Sequence, residues 1–319
     1  MKPLLKRIGI WVLVFFVLFN VLCAFQAYHF TRFYDNVPHK NAADMGFFEK
    51  TGAVLLGVPM AKSKVVDSLS VPHTSIVLTT SDGFKIAGWK LVHDKTDTAN
   101  VARGTVIMFH GHGSCRSGII PEATAFYNMG WNVLMIDFRS HGESEGNVCS
   151  IGINEVRDVK AAYDTVVAGG EKKIVLWGIS MGAATISKAM HDYADIQPEK
   201  VILEMPFGTM LEAAEGLVRN MHLPDEPLAV ELTFWGSVET GMWSFGNKPQ
   251  EYVKAIHCPV LLQRGEKDIR VTAAETAAIY DNLGSAQKTF VSYEGLGHIS
   301  LYQHATEKWM QTVTNFLKP

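Results

Sequence analysis

The strongest constraint on how this chain folds is a series of short apolar runs that are continuous rather than alternating. T-V-I-M-F (105–109), N-V-L-M-I-D (132–137), K-I-V-L-W (173–177) and K-V-I-L-E (200–204) come first, and P-V-L-L-Q (259–263) and T-F-V-S-Y (289–293) follow. Apolar residues at successive positions over strand length fit strands covered on both faces, as in a parallel sheet between helical layers. Helical periodicity lies between the runs: Val156, Val159, Tyr163, Val166 and Val167 share one face, with Glu155, Arg157, Asp158 and Lys160 on the other. Trp309, Val313, Phe316 and Leu317 repeat the pattern at the end of the chain. Earlier, S-I-V-L-T-T and K-I-A-G-W-K-L-V flank S-D-G and read as a hairpin turning at Asp82-Gly83. Strand alternating with helix predicts an α/β fold with an eight-stranded, mostly parallel sheet, the first two strands antiparallel, and helices on both faces.

Outside this series the N-terminus stands apart. M-K-P-L-L-K-R leads into I-G-I-W-V-L-V-F-F-V-L-F-N-V-L-C-A-F-Q-A-Y, in which Asn20 is the one clearly polar interior residue. A run of about 20 apolar residues is long enough to cross a bilayer as a helix. Lys2, Lys6 and Arg7 precede it and Arg32 and Lys40 follow more sparsely, a bias that favours a cytoplasmic N-terminus and an extracytoplasmic remainder. The competing reading is a cleaved signal peptide that leaves a secreted or periplasmic protein, but the run is longer than usual for one and no A-x-A site follows. The expected organisation is therefore a transmembrane signal-anchor over 1–29, a connecting segment without sustained periodicity over 30–74, and a globular domain over 75–319.

Composition narrows the partners. The chain is 47% hydrophobic and 19% charged, with a formal net charge of -3 and no Lys/Arg-rich block, so it carries no electrostatic footprint for nucleic acid. Cys23 falls in the apolar run, leaving Cys115, Cys149 and Cys258, an odd set that makes no disulfide framework, although Cys115 and Cys149 fall on loops at one edge and a bond between them stays open. Without C-x-x-C or H-E-x-x-H, no metal site and no cofactor is expected.

Two stretches share the Gly-x-Ser-x-Gly spacing that holds a nucleophilic serine on a tight turn: G-I-S-M-G (178–182) and G-E-S-E-G (142–146). Such a turn needs a strand ending at the first glycine, a helix starting at the serine, and glycines where backbones come too close for side chains. Ser180 meets these conditions, with K-I-V-L-W before it, M-G-A-A-T-I-S-K-A-M after it, and Gly178 and Gly182 as the elbow glycines. Ser144 does not, because F-R-S-H separates it from the nearest strand and Glu143 and Glu145 would oppose a developing oxyanion. A serine nucleophile needs a base and the base an orienting acid, all on loops at the carboxyl ends of strands. His298, in E-G-L-G-H-I-S, follows the last strand, and Asp268, in R-G-E-K-D, follows the one before it, with Glu204 and Asp137 as substitute acids at other strand ends. The expected oxyanion donors are the N–H of Met181 and an N–H from H-G-H-G-S-C (110–115), His112 first and Gly113 next. His110 is expected to orient that loop.

Taken together, HGHG (110–113), DFRSHGESEG (137–146), GISMG (178–182), RGEKD (264–268) and GH (297–298) give the chain a resemblance to the α/β-hydrolase superfamily over roughly residues 75–319. It looks most like membrane-anchored or secreted bacterial members and eukaryotic ABHD-type lipid and acyl-protein hydrolases. The resemblance implies the α/β-hydrolase fold, serine ester-hydrolase chemistry through Ser180, Asp268 and His298, and a non-nucleophilic HGESEG loop. Ser140 departs from the pattern, since relatives commonly have glycine there.

From Met205 to Cys258, between the sixth and seventh strands, about 54 residues rich in Met, Leu, Phe and Trp read either as a short helical cap over an apolar acyl pocket or as ordinary core. An anchor beside such a cap favours a small-molecule acyl ester or lipid substrate. Peptide bonds and thioesters use the same triad, and a membrane-tethered binding protein that keeps the fold without turnover is the non-enzymatic alternative.

Overall fold

A computed structural model describes residues 2–35, 37, 46, 52, 57, 59–93 and 102–318. Each apolar run becomes a strand: β1 (Thr74–Thr79), β2 (Lys85–Leu91), β3 (Thr105–Phe109), β4 (Asn132–Ile136), β5 (Ile174–Ile179), β6 (Lys200–Glu204), β7 (Val260–Gly265) and β8 (Lys288–Tyr293). They form one sheet in the order β8-β7-β6-β5-β3-β4-β2-β1. Only β2 runs against its neighbours, pairing antiparallel with β1 and with β4, while every other pairing is parallel.

Successive residues of a strand feed opposite faces, so a run buried on both sides has to be apolar throughout. In β3, Ile107 and Phe109 enter one core with Val159 and Ile186. Val106 and Met108 enter the other, with Phe126 and Trp309. Those partners come from helices α3 (Val156–Ala168) and α4 (Met181–Asp192) on the first face, and from α2 (Ile120–Asn128) and α8 (Thr306–Phe316) on the second. Helix α7 (Ala273–Asn282) closes the first face through Ile279, and its start is fixed by a capping box between Thr272 and Glu275. The sheet order reverses beside β3, where the chain leaves β4 on one side and returns as β5 on the other. Loops leaving β3 and β5 therefore meet at the edge where open α/β sheets hold their ligands.

The stretch between β6 and β7 folds into α5 (Met210–Asn220) and α6 (Leu228–Thr240), followed by short turns. The N-terminal run is a single helix, α1 (Lys2–Phe30). Ile8 to Leu18 is exposed and apolar, whereas Cys23 and Ala27 are buried where α1 packs on α6. Arg32, just past its end, donates to the carbonyl of Glu239 in α6 and lies 3.5 Å from that residue's carboxylate. Much of the connecting segment, Lys40 included, lies outside the described residues. The described part is fastened down: Phe33–Tyr34 pairs parallel with Met60–Ala61, and Lys62 donates to the carbonyl of Ser144.

One buried acid sits between the layers. Glu204, at the end of β6, accepts from the indole N–H groups of Trp177 at 2.9 Å and Trp309 at 2.7 Å and from the Gln263 amide at 3.1 Å. Burial pushes its carboxyl up to about 8, from an ordinary value of 4.5. Below the ordinary value both folded and unfolded chains hold the proton. Between 4.5 and 8 only the folded chain does, so this group makes stability fall as pH rises across that window. Glu204→Gln should flatten that decline by roughly 1 kcal/mol per pH unit, read from urea unfolding between pH 5 and 8; an unchanged slope would refute the assignment.

Candidate active site

Strand β5 runs straight into α4 at Ser180, whose backbone is held at φ 53 and ψ -117. A left-handed φ is uncommon for any residue with a side chain and marks strain that the surrounding packing must hold. Here the glycines make that packing possible. A Cβ on Gly182 would lie 2.2 Å from the carbonyl oxygen of Phe109, and one on Gly178 would lie 2.7 Å from the backbone of Gly182 and Ala183. Only glycine lets α4 approach β3 so closely.

The structure brings Ser180, Asp268 and His298 together. Ser180 Oγ lies 2.9 Å from His298 Nε2, and His298 Nδ1 lies 2.7 Å from Asp268 Oδ2. The other carboxylate oxygen of Asp268 accepts from the N–H of Arg270 at 2.8 Å and of Val271 at 2.9 Å, which fixes its orientation. The loops carrying Asp268 and His298 are pressed together: a Cβ on Gly265 would lie 2.3 Å from the carbonyl oxygen of Gly297, and Lys267 N donates to Leu296 O. With Nδ1 protonated toward the carboxylate, Nε2 is the nitrogen left to accept the serine proton. Glu204 and Asp137, the substitute acids, are engaged elsewhere. Glu204 faces the two indoles, and Asp137 pairs with Arg116 and accepts from Glu143 N.

The oxyanion expectation needs one correction. Gly113 does not offer a free donor, because its N–H points to His141 Nε2 at 3.2 Å. The N–H groups of His112 and Met181 have no acceptor among the described residues, and a Cβ on Gly111 would touch that of Ser180 at 3.5 Å, so this loop lies over the serine. The loop is braced by two neutral imidazoles. His110 donates from Nδ1 to Gly111 O and accepts at Nε2 from Phe138 N, and His141 donates from Nδ1 to Arg139 O while accepting from Gly113. Burial pushes them down to about 4 and about 3. No local sequence pattern marks His141, whose partner stands 28 residues away.

G-E-S-E-G acts as a brace. Ser144 is buried, and its hydroxyl donates to Asp137 O at 2.7 Å and accepts from Ala87 N at 2.9 Å. Glu145 accepts from Lys85 N, and Glu143 pairs with Arg116. Gly142 is required because a Cβ there would lie 2.1 Å from the Asp137 carboxylate. Ser140, the departure from the family pattern, sits at φ 68, a glycine-favouring conformation, and its hydroxyl gains a hydrogen bond to Val148 O at 2.7 Å. Cys115 and Cys149 do not pair; both are buried thiols, with Cys115 Sγ against Lys64 O and Cys149 Sγ against Met181 Sδ.

Ser180 opens into a cavity of about 480 Å³, within the usual range for small-molecule sites. Helices α5 and α6 supply Met210, Leu217, Leu228 and Leu232, and the last turns of α1 supply Leu22, Ala27 and Phe30. Phe30 stacks on His112 with ring centroids 5.0 Å apart. That contribution from α1 is not legible in the sequence, where the helix is apolar all round and presents no distinct face.

The model of the family described as "Serine aminopeptidase, S33" matches residues 100–221. The chain is 25% identical over 247 residues to the uncharacterized protein YqkD of Bacillus subtilis, covering 76% of this chain and 79% of that one. It is 23% identical over 228 residues to the lysophosphatidylserine lipase ABHD12 of Danio rerio, covering 67% of this chain and 58% of that one. Among solved structures, an esterase of Pyrococcus furiosus, Pf2001, superposes with a TM-score of 0.66 at 24% identity, over 80% of this chain and 96% of that one. Strand order, the turn at Ser180 and these likenesses lead to one conclusion: the chain has the α/β-hydrolase fold.

Proposed function

We propose that this protein is a membrane-anchored serine hydrolase that cleaves carboxylic esters with an apolar acyl chain. The observation that carries the reading is the hydrogen-bonded relay from Ser180 Oγ through His298 to Asp268, with Ser180 lining a cavity beside two N–H groups that have no acceptor among the described residues. In this reading His298 Nε2 takes the Ser180 proton as Oγ attacks the carbonyl carbon. The oxyanion forms against the N–H groups of His112 and Met181, and His298 then gives its proton to the departing alcohol. Water, deprotonated by the same imidazole, attacks the acyl-enzyme and releases the carboxylic acid. Asp268 keeps the imidazole in the required tautomer and balances its charge. No metal or cofactor enters this scheme.

Several features favour an acyl or lipid substrate. We assign residues 1–29 as anchor, 30–74 as connecting segment and 75–319 as catalytic domain, with 205–258 as its cap. The apolar stretch Ile8–Val21 rises about 21 Å at 1.5 Å per residue, most of the hydrocarbon thickness of a bilayer. Met221, Leu223, Phe234, Val238 and Trp243 of the cap region are exposed apolar side chains of the kind that settle into a membrane surface. ABHD12, a lipase by name, is among the relatives. Lys6 and Arg7, in the first turns of α1 ahead of the apolar stretch, favour a cytoplasmic N-terminus with the catalytic domain outside.

The S33 description favours a second reading, an aminopeptidase. Such an enzyme must hold a substrate ammonium, yet no Asp or Glu is among the described residues lining the cavity.

A fluorophosphonate probe should label the wild type and not Ser180→Ala, whose kcat on p-nitrophenyl esters should fall by about 10⁶. Ser144→Ala should still label per folded molecule, with a lower thermal midpoint from the lost buried hydrogen bonds. Label kept in Ser180→Ala would end the assignment. Across p-nitrophenyl esters, kcat/KM should rise from acetyl to medium acyl chains and exceed that for aminoacyl p-nitroanilides; the reverse order would favour the peptidase. Protease added to intact spheroplasts should digest the catalytic domain, and its protection would reverse the topology.

A further inference from the structure

Arg270 is the feature the proposed reaction leaves unused. It follows the Asp268 loop and lines the same cavity as Ser180 and His112. It is the only Arg, Lys, Asp or Glu among the described residues that do so. Arginine in a partly buried setting almost always finds a carboxylate or a set of carbonyls, because a desolvated guanidinium without partners is costly. The other long-range cations near this edge obey that rule: Arg116 pairs with Asp137 and Glu143, Arg139 with Asp158 and Asp82, and Arg219 with Asp225. The guanidinium of Arg270 forms no hydrogen bond or ion pair with any described residue. Its backbone N–H goes to Asp268, but that carboxylate is filled by His298, Arg270 N and Val271 N, and does not take the side chain.

The position is built. A Cβ on Gly216 of α5 would lie 2.0 Å from the carbonyl oxygen of Arg270, so α5 is pressed against its backbone. Arg219 Nε donates to the neighbouring carbonyl of Ile269 at 2.9 Å. The residue thus sits on a clamped loop, and its charge bears on the ring of His112, whose backbone N–H we place at the oxyanion. Burial pulls the guanidinium pKa down, offset only in part by Asp268, which is the sign of a cation short of an anion.

We infer that Arg270 is a recognition site for an anion on the substrate, and that the ester cleaved at Ser180 carries a phosphate or carboxylate on its alcohol side. The inference rests on the ester-hydrolase reading above. The acyl side is assigned by exclusion. The walls supplied by α5 and α6 are apolar, and the hydroxyls among them are already spent, Thr233 on Ala229 O and Thr240 on Gly236 O. An anion directed there would find no partner, so the apolar chain belongs there and the charge belongs with the leaving alcohol. A guanidinium holds either oxyanion through two parallel N–H donors. The substrate class is therefore a single-chain acyl ester of a small anionic alcohol.

The test uses the full-length protein in neutral detergent micelles and three esters of one acyl chain: 1-oleoylglycerol 3-phosphate, the mono-oleoyl ester of glyceric acid, and uncharged 1-oleoylglycerol. Wild type should prefer an anionic ester to the neutral one in kcat/KM, and Arg270→Gln should lower that preference about 10-fold or more, mostly through KM, with partial recovery in Arg270→Lys. The larger preference, for phosphate or for carboxylate, identifies the anion. Wild type without any preference overturns the inference. An unchanged preference in Arg270→Gln overturns it too, since a residue that served only the oxyanion would slow charged and neutral esters alike. If Arg270→Gln fails to fold, competition decides: glycerol 3-phosphate or glycerate should inhibit wild-type hydrolysis of p-nitrophenyl butyrate where glycerol does not, and equal inhibition refutes the site. Failure of the ester reading itself looks different, as absence of both turnover and fluorophosphonate labelling.

Discussion

The site depends first on how closely α4 approaches β3. The contact has no side chain in it: Gly182 lies against the carbonyls of Phe109 and His110, and Gly178 lies against the first turn of α4. This approach bends the chain sharply at Ser180 and holds its left-handed backbone, so that the hydroxyl stands clear of the sheet toward His298. It also brings the first amide of α4, that of Met181, alongside the loop that follows β3. One packing distance therefore sets the serine, one of the two amides beside it, and the junction of both with the sheet. A methyl group on either glycine would have to displace backbone, which cannot rotate out of the way as a side chain can.

Loops built largely from glycine and polar residues need their shape fixed from outside, and buried electrostatics does this. Asp137 accepts from the Arg116 amide and side chain and from Glu143 N, joining the loops that follow β3 and β4. Arg139 lies between Asp158 and Asp82, and Glu155 accepts from Ser150 and Gly152. Burying these charges is expensive, and each is held by more than one partner. The result is an edge of the sheet whose loops are rigid although none has regular structure. Preorganised dipoles can stabilise a charge only when they do not have to reorganise to meet it.

Much of this was legible in the sequence because it is local. Continuous apolar runs mark strands buried on both faces, and the order of Ser180, Asp268 and His298 follows from where those runs stop. Even the exclusion of Ser144 could be read from its distance to the nearest strand. What escaped the sequence is defined by partners distant along the chain. The N–H of Gly113 is taken by an imidazole 28 residues away, and that no described carboxylate pairs with Arg270 can be seen only once those residues have been placed. The strain at Ser140 was visible only as an unusual residue in a familiar pattern, until its backbone angle supplied the reason. Between residues 30 and 74 no periodicity exists to read, and Phe33 is nonetheless buried against His112 and His141.

Helix α1 has a consequence for how the protein is handled. Its last turns are a wall of the cavity, with Leu22, Ala27 and Phe30 facing the same space as Ser180. Trimming a hydrophobic N-terminus to obtain a water-soluble protein is routine, and in this chain it would cut through the site. The relay of Ser180, His298 and Asp268 would survive, since none of its contacts involves α1. The cavity would lie open to water on one side and His112 would lose the ring stacked on it. A trimmed protein would thus keep the Ser180, His298 and Asp268 geometry on an altered cavity, and anything measured on it would describe a shape the intact protein never has.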